Sequence, residues 1–275
     1  MKTMTKIAAV SLMALLSAPA LAGKGGSAGL IQQAVTSGST DAIIAEVEKT
    51  EGLMCEECIQ MVTNLTADNR YAVREVAGWW FAKRPALRDM LATQFEDDLG
   101  LSDSIRVRNA ADFLGATVTL TALPQLRTAM THAGLSTDAK LALVRAAKAL
   151  AHTSGNPILV TAMGDSDASV RAAAASAWRD ILGQKGAQPV VALLNDGDAN
   201  VRAQAASVVG GMSELSGRAQ LEGLLADSDP FVRRNAAWAL GRLGQEASRS
   251  ALTAATADKS SLVRATAKAA LALLH

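Results

Sequence analysis

One short phrase, repeated at a fixed interval, limits the folds open to this chain more than any other feature. Asp165-Ser-Asp-Ala-Ser-Val170-Arg171 returns at Asp196 to Val201-Arg202, at Asp227 to Val232-Arg233 and at Asp258 to Val263-Arg264, each 31 residues on and without insertion. A period of that length marks a solenoid, in which each unit is one supersecondary element stacked on its neighbours. Aligned by the step, the copies place Ala174, Ala205, Ala236 and Ala267 in one column. Trp178, Val209, Leu240 and Leu271 stand four on, and Ile181, Met212, Leu243 and Leu274 three beyond that. Apolar residues so spaced line one face of a helix. A second apolar set, Val190, Leu193 and Leu194 or Leu221, Leu224 and Leu225, runs up to the next Asp. Every unit therefore reads helix, turn, helix.

The unit boundaries carry the chemistry such helices need. Asp229 before Pro230 supplies an N-cap acceptor and a residue whose missing N–H costs nothing at the first helical position; Asp167, Asp198 and Ser260 share the cap column. Gly183, Gly186 and Gly244 fall where the first helix must stop, and Pro189 opens a second. Small Ala side chains in the inner columns let layers of helices approach closely. The Asp and Arg of the phrase recur at each junction between units. They are expected to tie layer to layer as a ladder of charge-assisted hydrogen bonds, formed by Asp68, Arg74, Asp165, Arg171, Asp196, Arg202, Asp227, Arg233, Asp258 and Arg264. The alternative is a row of exposed ion pairs, each contributing less than ~1 kcal/mol.

The Asp…Val-Arg phrase, the run Ala239-Leu-Gly-Arg-Leu-Gly244 and second helices ending Leu-Leu-x-Asp resemble HEAT repeats, most of all the short subtype of the phycobilin lyases. The likeness is strong over 165–275 and looser over roughly 53–164. It implies an all-α, right-handed α-α superhelix (a HEAT/armadillo-like solenoid), here of about seven helix pairs plus an N-terminal cap. It also implies second helices on a concave face and a role in holding proteins together. The lyase activity does not transfer, because fold does not imply function.

Four segments are expected along the chain. Residues 1–22 read as a signal peptide, with Lys2 and Lys6 around the apolar run Ile7 to Leu16 and small residues at Ala20-Leu21-Ala22. Residues 23–29 read as a flexible lead-in, 30–164 as irregular repeats with an N-terminal cap, and 165–275 as the regular array. The cap holds a helical region broken at Ser37-Gly38-Ser39 and a helix from Leu53 to Leu65. Residues 85–104 depart from the pattern, with Glu96, Asp97 and Asp98 marking a solvated loop or helix end, and Ser102 replaces the motif's Asp. Val144-Arg145 is taken as a unit start only 20 residues before Asp165, which predicts a shortened first helix ending before His152.

Without Lys2 and Lys6 the chain carries 25 basic and 26 acidic side chains, which argues against nucleic acid as partner. No later stretch has the length and polarity of a membrane helix. The expected product is exported, periplasmic or secreted, and a monomer.

The pair Cys55 and Cys58 is the most pointed feature. A local disulfide or two buried thiols, a thiol-exchange contact, and a metal site all remain open. Haem attachment fails because Ile59, not His, follows, and zinc would need His132, His152 or His275 from far along the chain. Trp79 and Trp80 cannot both face one core: Trp80 and Phe81 share columns with Val208 and Val209, whereas Trp79 shares one with Ser207 and Trp238. Trp79 either plugs the junction with 85–104 or anchors a partner. No nucleophile–base set, Walker loop or metal-binding His-Glu-x-x-His appears. The second-helix columns Val160, Val191, Glu222 and Thr253, then Thr161, Ala192, Gly223 and Ala254, are small and nearly uncharged. The expectation is a scaffold for an unidentified protein partner, without catalysis, cofactor or metal, touching it through Trp79 and Glu96 to Asp98. The alternative is a redox-linked accessory factor working through Cys55 and Cys58, which would need Cys58 accessible.

Overall fold

A computed structural model describes residues 27–53 and 55–275; the expected signal peptide and residues 23–26 of the lead-in lie outside the described residues. The rest of the lead-in is ordered. Ser27 caps α1 (Ala28–Ser37), its hydroxyl accepting the Leu30 N–H. Then come α2 (Thr40–Glu48), α3 (Glu56–Leu65), α4 (Tyr71–Ala82), α5 (Pro85–Asp98), α6 (Ser104–Ala116), α7 (Leu123–Ala129) and α8 (Thr137–Leu150). The second half holds α9 (Asn156–Met163), α10 (Ala168–Trp178), α11 (Gln188–Val191), α12 (Ala199–Gly211), α13 (Arg218–Leu224), α14 (Pro230–Leu243), α15 (Arg249–Ala255) and α16 (Ser261–Leu271). Among the described residues there is no strand, and no helix long and apolar enough to cross a membrane.

The even-numbered helices stack on one another in chain order, from α2 on α4 to α14 on α16, and the odd-numbered helices form a second row against them. Seven helix pairs, α2/α3 to α14/α15, thus stand between α1 and α16. The caps explain the starts: Asp103, Asp167, Asp198 and Asp229 each accept first-turn N–H groups. Second-row helices carry Pro85, Pro124, Pro157 and Pro189 at their first or second position, and Gly244, at φ 66°, ends α14.

Glycine sets the closest approaches within the first row. A Cβ on Gly210 would lie 2.5 Å from Ala239 Cα, and one on Gly241 would lie 2.7 Å from Ala270 Cβ. Gly210→Val must push α12 off α14, and we expect a loss of about 1–3 kcal/mol, read as a lower urea midpoint. Gly223 on α13 is the control, because nothing lies within 4 Å of its added Cβ. Gly223→Ala should stabilise by up to ~1 kcal/mol. Equal shifts in the two variants would contradict this account of the packing.

Between neighbouring units the Arg side chains do two things at once. Arg171, Arg202 and Arg233 each send Nη1 to the carbonyl six residues back in their own unit, at 2.8 Å. Nε and Nη2 fork onto the carboxylate of the next unit: Arg171 onto Asp196, Arg202 onto Asp227, Arg233 onto Asp258, at 2.7 to 3.0 Å. The same carboxylates accept the N–H two residues on, which fixes the turn before each cap. These are bidentate links between layers, not free surface pairs. Arg264 binds the Asp258 and Lys259 carbonyls.

Two parts of the expected organisation change. Subtracting the 31-residue step from Arg171 gives Lys140, and Lys140 Nζ holds Asp165 at 2.6 Å, so the ladder runs one unit further back than residue 165. The α8 helix is accordingly full length, 14 residues capped by Ser136, and not the short helix expected from a start at Val144-Arg145. Earlier still, Asp68 does not accept from a preceding unit but pairs with Arg70 at 2.8 Å. Arg74 passes over Ser102 and donates to Asp112, 2.9 Å from its Nε, and Arg145 reaches back to the same carboxylate at 3.0 Å. Asp112 therefore ties α4, α6 and α8 together where the phrase lapses.

Candidate functional site

The ladder holds register through the regular units, and the irregular end of the stack carries the cysteine pair. There α3 starts at Glu56 rather than Leu53, with Cys55 as its N-cap. Cys55 and Cys58 form a disulfide, and Cys55 Sγ accepts the Cys58 N–H at 3.2 Å. Cys58 is wholly buried while Cys55 is half-buried, so the residue of the pair that reaches the surface is Cys55 and not the Cys58 that the redox reading asked for.

The loop before Cys55 is held from α4. Trp80 is fully buried and its indole N–H donates to Thr50 Oγ1 at 2.8 Å. Arg84 lies over the Trp80 ring, 3.4 Å from its centroid, and donates to the carbonyls of Thr50 and Glu51 at 2.9 Å and of Leu53 at 3.1 Å. Burial lowers the pKa of this guanidinium, and among the described residues no carboxylate hydrogen-bonds it. Arg84 stands in the column that holds Ile181, Met212, Leu243 and Leu274 in the regular units, which is the signal in the sequence that this unit is built differently.

Directly after Arg84, Pro85 starts α5, which packs chiefly on α6. A groove of about 700 Å³ is left beside α3, with walls from Leu53, Cys55, Ile59, Trp80, Arg84 and Leu87. On its rim Lys83 pairs with Glu51 at 3.1 Å. Of the disulfide, Cys55 is part of the wall.

The other expected contact residues lie elsewhere. Trp79 lines a cleft of about 210 Å³ with Tyr71, Glu75, Asp112, Arg145 and Ala149, from α4, α6 and α8. There the Tyr71 hydroxyl donates to Glu75 at 2.8 Å and Arg145 sits 4.4 Å from the Tyr71 ring centroid. Burial, reinforced by Glu75, raises the Tyr71 pKa. Glu96, Asp97 and Asp98 form the last turn of α5, the helix end of the two expected alternatives: Asp98 is buried and paired with Arg106, Glu96 accepts from Thr121 at 3.2 Å, and Asp97 is exposed. Cys55, Trp79 and Glu96 thus belong to three separate places.

The histidines serve local structure. His152 Nδ1 accepts the Ser154 N–H at 3.1 Å, His132 Nδ1 is 3.2 Å from the Leu101 carbonyl, and the His275 N–H donates to Gly244 at 3.0 Å. No group of three His, Cys, Asp or Glu side chains placed to hold a metal occurs among the described residues.

Comparison with known proteins agrees with this geometry at the level of fold. Residues 187–272 match the family model of HEAT repeats. The chain is similar to the solved structure of the Escherichia coli protein YibA, at 15% identity, covering 88% of this chain and 91% of that one, with a TM-score of 0.57. It is also similar to an engineered protein (17% identity, 90% and 77% covered, TM-score 0.51). Human deoxyhypusine hydroxylase in complex with glycerol matches at 21% identity, with 90% and 95% covered and a TM-score of 0.39. No curated protein matches in sequence. At these identities the likeness concerns fold alone. The described residues form an all-helical solenoid, and residues 187–272 match HEAT repeats.

Proposed function

We propose that this protein is a scaffold that binds an extended apolar segment of a protein partner in the groove between α3 and α5. The observation that carries the reading is the groove itself. Its size is that of a site for a few side chains, and its walls are largely aliphatic, from Leu53, Ile59, Ala86 and Leu87, with Glu56, Lys83 and Arg84 as charged groups. The regular units supply rigidity: bidentate links join layer to layer, so the irregular end is presented on a stiff support. Solenoid stacking of this kind is commonly used for protein contacts. An oxidising compartment outside the cytoplasm suits both the disulfide and the leader-like residues 1–22.

A photo-reactive side chain placed at Leu87 tests the proposal. It should give one discrete protein adduct in extract of the source cells, and the same adduct should form from Ile59. Leu182, 74% exposed and far along the chain, serves as control. Trp79→Ala should leave the adduct intact, because its cleft is separate from the groove. An adduct of equal yield from position 182, or none from positions 59 and 87, would overturn the reading.

A further inference from the structure

We propose that Cys55 and Cys58 form a thiol–disulfide exchange site that oxidises a dithiol in the segment occupying the α3/α5 groove. This rests on the groove being a protein-binding site and names the chemistry of its occupant.

Three observations point the same way. First, the two sulfurs are unequal. Cys58 is shut in the core, while Cys55 forms part of the groove wall, so an incoming thiolate is directed to Cys55 Sγ. Second, the surroundings favour negative charge on Cys55 once the bond opens. It caps a 10-residue helix, its sulfur accepts the Cys58 N–H at 3.2 Å, and the Arg84 guanidinium lines the same groove. Glu56, which lines the same groove, and Glu57 oppose this from the first turn, but Lys83 lines the groove beside Arg84 and neither glutamate hydrogen-bonds the sulfur. Stabilising the Cys55 thiolate stabilises the reduced pair, which makes the disulfide an oxidant. Third, the bond has little structural work to do. It closes a loop of sequence separation 3, too small to restrict the unfolded chain much, and Arg84 and Trp80 already fasten the preceding loop.

The exchange balances as follows. A substrate thiolate attacks Cys55 Sγ, the Cys55–Cys58 bond breaks, and Cys58 leaves as a thiolate that takes up a proton. The second substrate thiol, deprotonated, then attacks the substrate sulfur of the mixed disulfide. The substrate disulfide forms and Cys55 departs as the thiolate. Two electrons pass from the substrate dithiol to the cysteine pair, which a small disulfide of the glutathione-disulfide class restores.

The test uses the full chain and a synthetic reduced peptide with two cysteines flanked by leucines. Oxidised wild-type protein should convert about one equivalent of peptide to its disulfide, at least ~10-fold faster than glutathione disulfide at equal concentration. Leu87→Asp should slow that reaction by ~10-fold or more, and by more than it slows reduction of the pair by glutathione, which fills less of the groove. With oxidised peptide, Cys58→Ser should accumulate a mixed disulfide on Cys55, seen by mass spectrometry. The proposal is overturned if wild type is no faster than glutathione disulfide, a comparison that needs no variant to fold. It is equally overturned if Leu87→Asp leaves the peptide rate unchanged. Should the Cys55→Ser, Cys58→Ser double variant keep the adduct at position 87 while wild type oxidises no peptide, binding in the groove stands and exchange falls. Loss of the adduct from wild type itself removes the binding reading.

Discussion

Asp112→Ala is expected to lower stability by about 3–5 kcal/mol, more than any other single replacement considered for the stack. The Asp112 side chain is 0% exposed and lies between Arg74, 1% exposed, and Arg145, 28% exposed. Taking away the carboxylate leaves the Nε and Nη2 of Arg74 unmatched in the interior, with only Nη1 still bound, to the Asp68 and Asn69 carbonyls. A buried charge stripped of its partner costs several kcal/mol, because water cannot reach it. Arg145, nearer the surface, can turn outward, so Arg145→Ala should cost only ~1 kcal/mol. Urea unfolding of the two variants decides the matter. The assignment fails if Asp112→Ala costs no more than Arg145→Ala. Replacing all three by Met, Leu and Met should recover most of the loss, since an apolar core of similar volume often matches a buried ion cluster.

That residue also shows what was legible in the sequence and what was not. The stacked helices, their caps and the fork onto the next unit all recur in phase, so four copies of one phrase disclose them. Even Lys140 obeys the 31-residue step; it was hidden because Lys and Gly134 replace Arg and Asp, and because Val144-Arg145 mimics the phrase inside α8. Asp112 had a signal of its own, as a carboxylate in the column of Ala175, Ala206 and Ala237. Its partners could not be read, since Arg74 and Arg145 lie 38 and 33 residues away, off the period. The groove escaped for a related reason. It depends on where α5 turns after Arg84, and direction after an irregular junction is a tertiary outcome without local spacing to announce it. Trp79 was rightly set apart from Trp80 by its column, yet columns give a face and not a neighbour.

Acid is expected to unfasten the stack. The Asp196 and Asp258 carboxyls are held below the ordinary range first by hydrogen bonds from Arg171 and Arg233. At Asp165 and Asp227 burial pushes upward, but the hydrogen bonds from Lys140 and Arg202, with those from the backbone, outweigh it. Hydrogen bonds from Ser169, then Thr137, bring the Asp167 cap down to about 2. A carboxyl with a depressed folded-state pKa contributes stability that is fully present above its unfolded value, ~3.9, and is lost as pH falls through the folded value. Stability should therefore be flat from about pH 7 to pH 5 and fall steeply from about pH 4 towards pH 2, as several carboxylates take up protons together. The triple variant Asp196→Asn, Asp227→Asn, Asp258→Asn should be less stable than wild type at pH 7 and should lose much less on acidification. Urea midpoints measured across that range separate the ladder from general charge repulsion. Parallel curves for the two proteins below pH 4 would mean that the carboxylates joining the layers are not what acid attacks. Because each link spans only two neighbours, the loss should also appear layer by layer, as fraying in hydrogen exchange before the whole array unfolds.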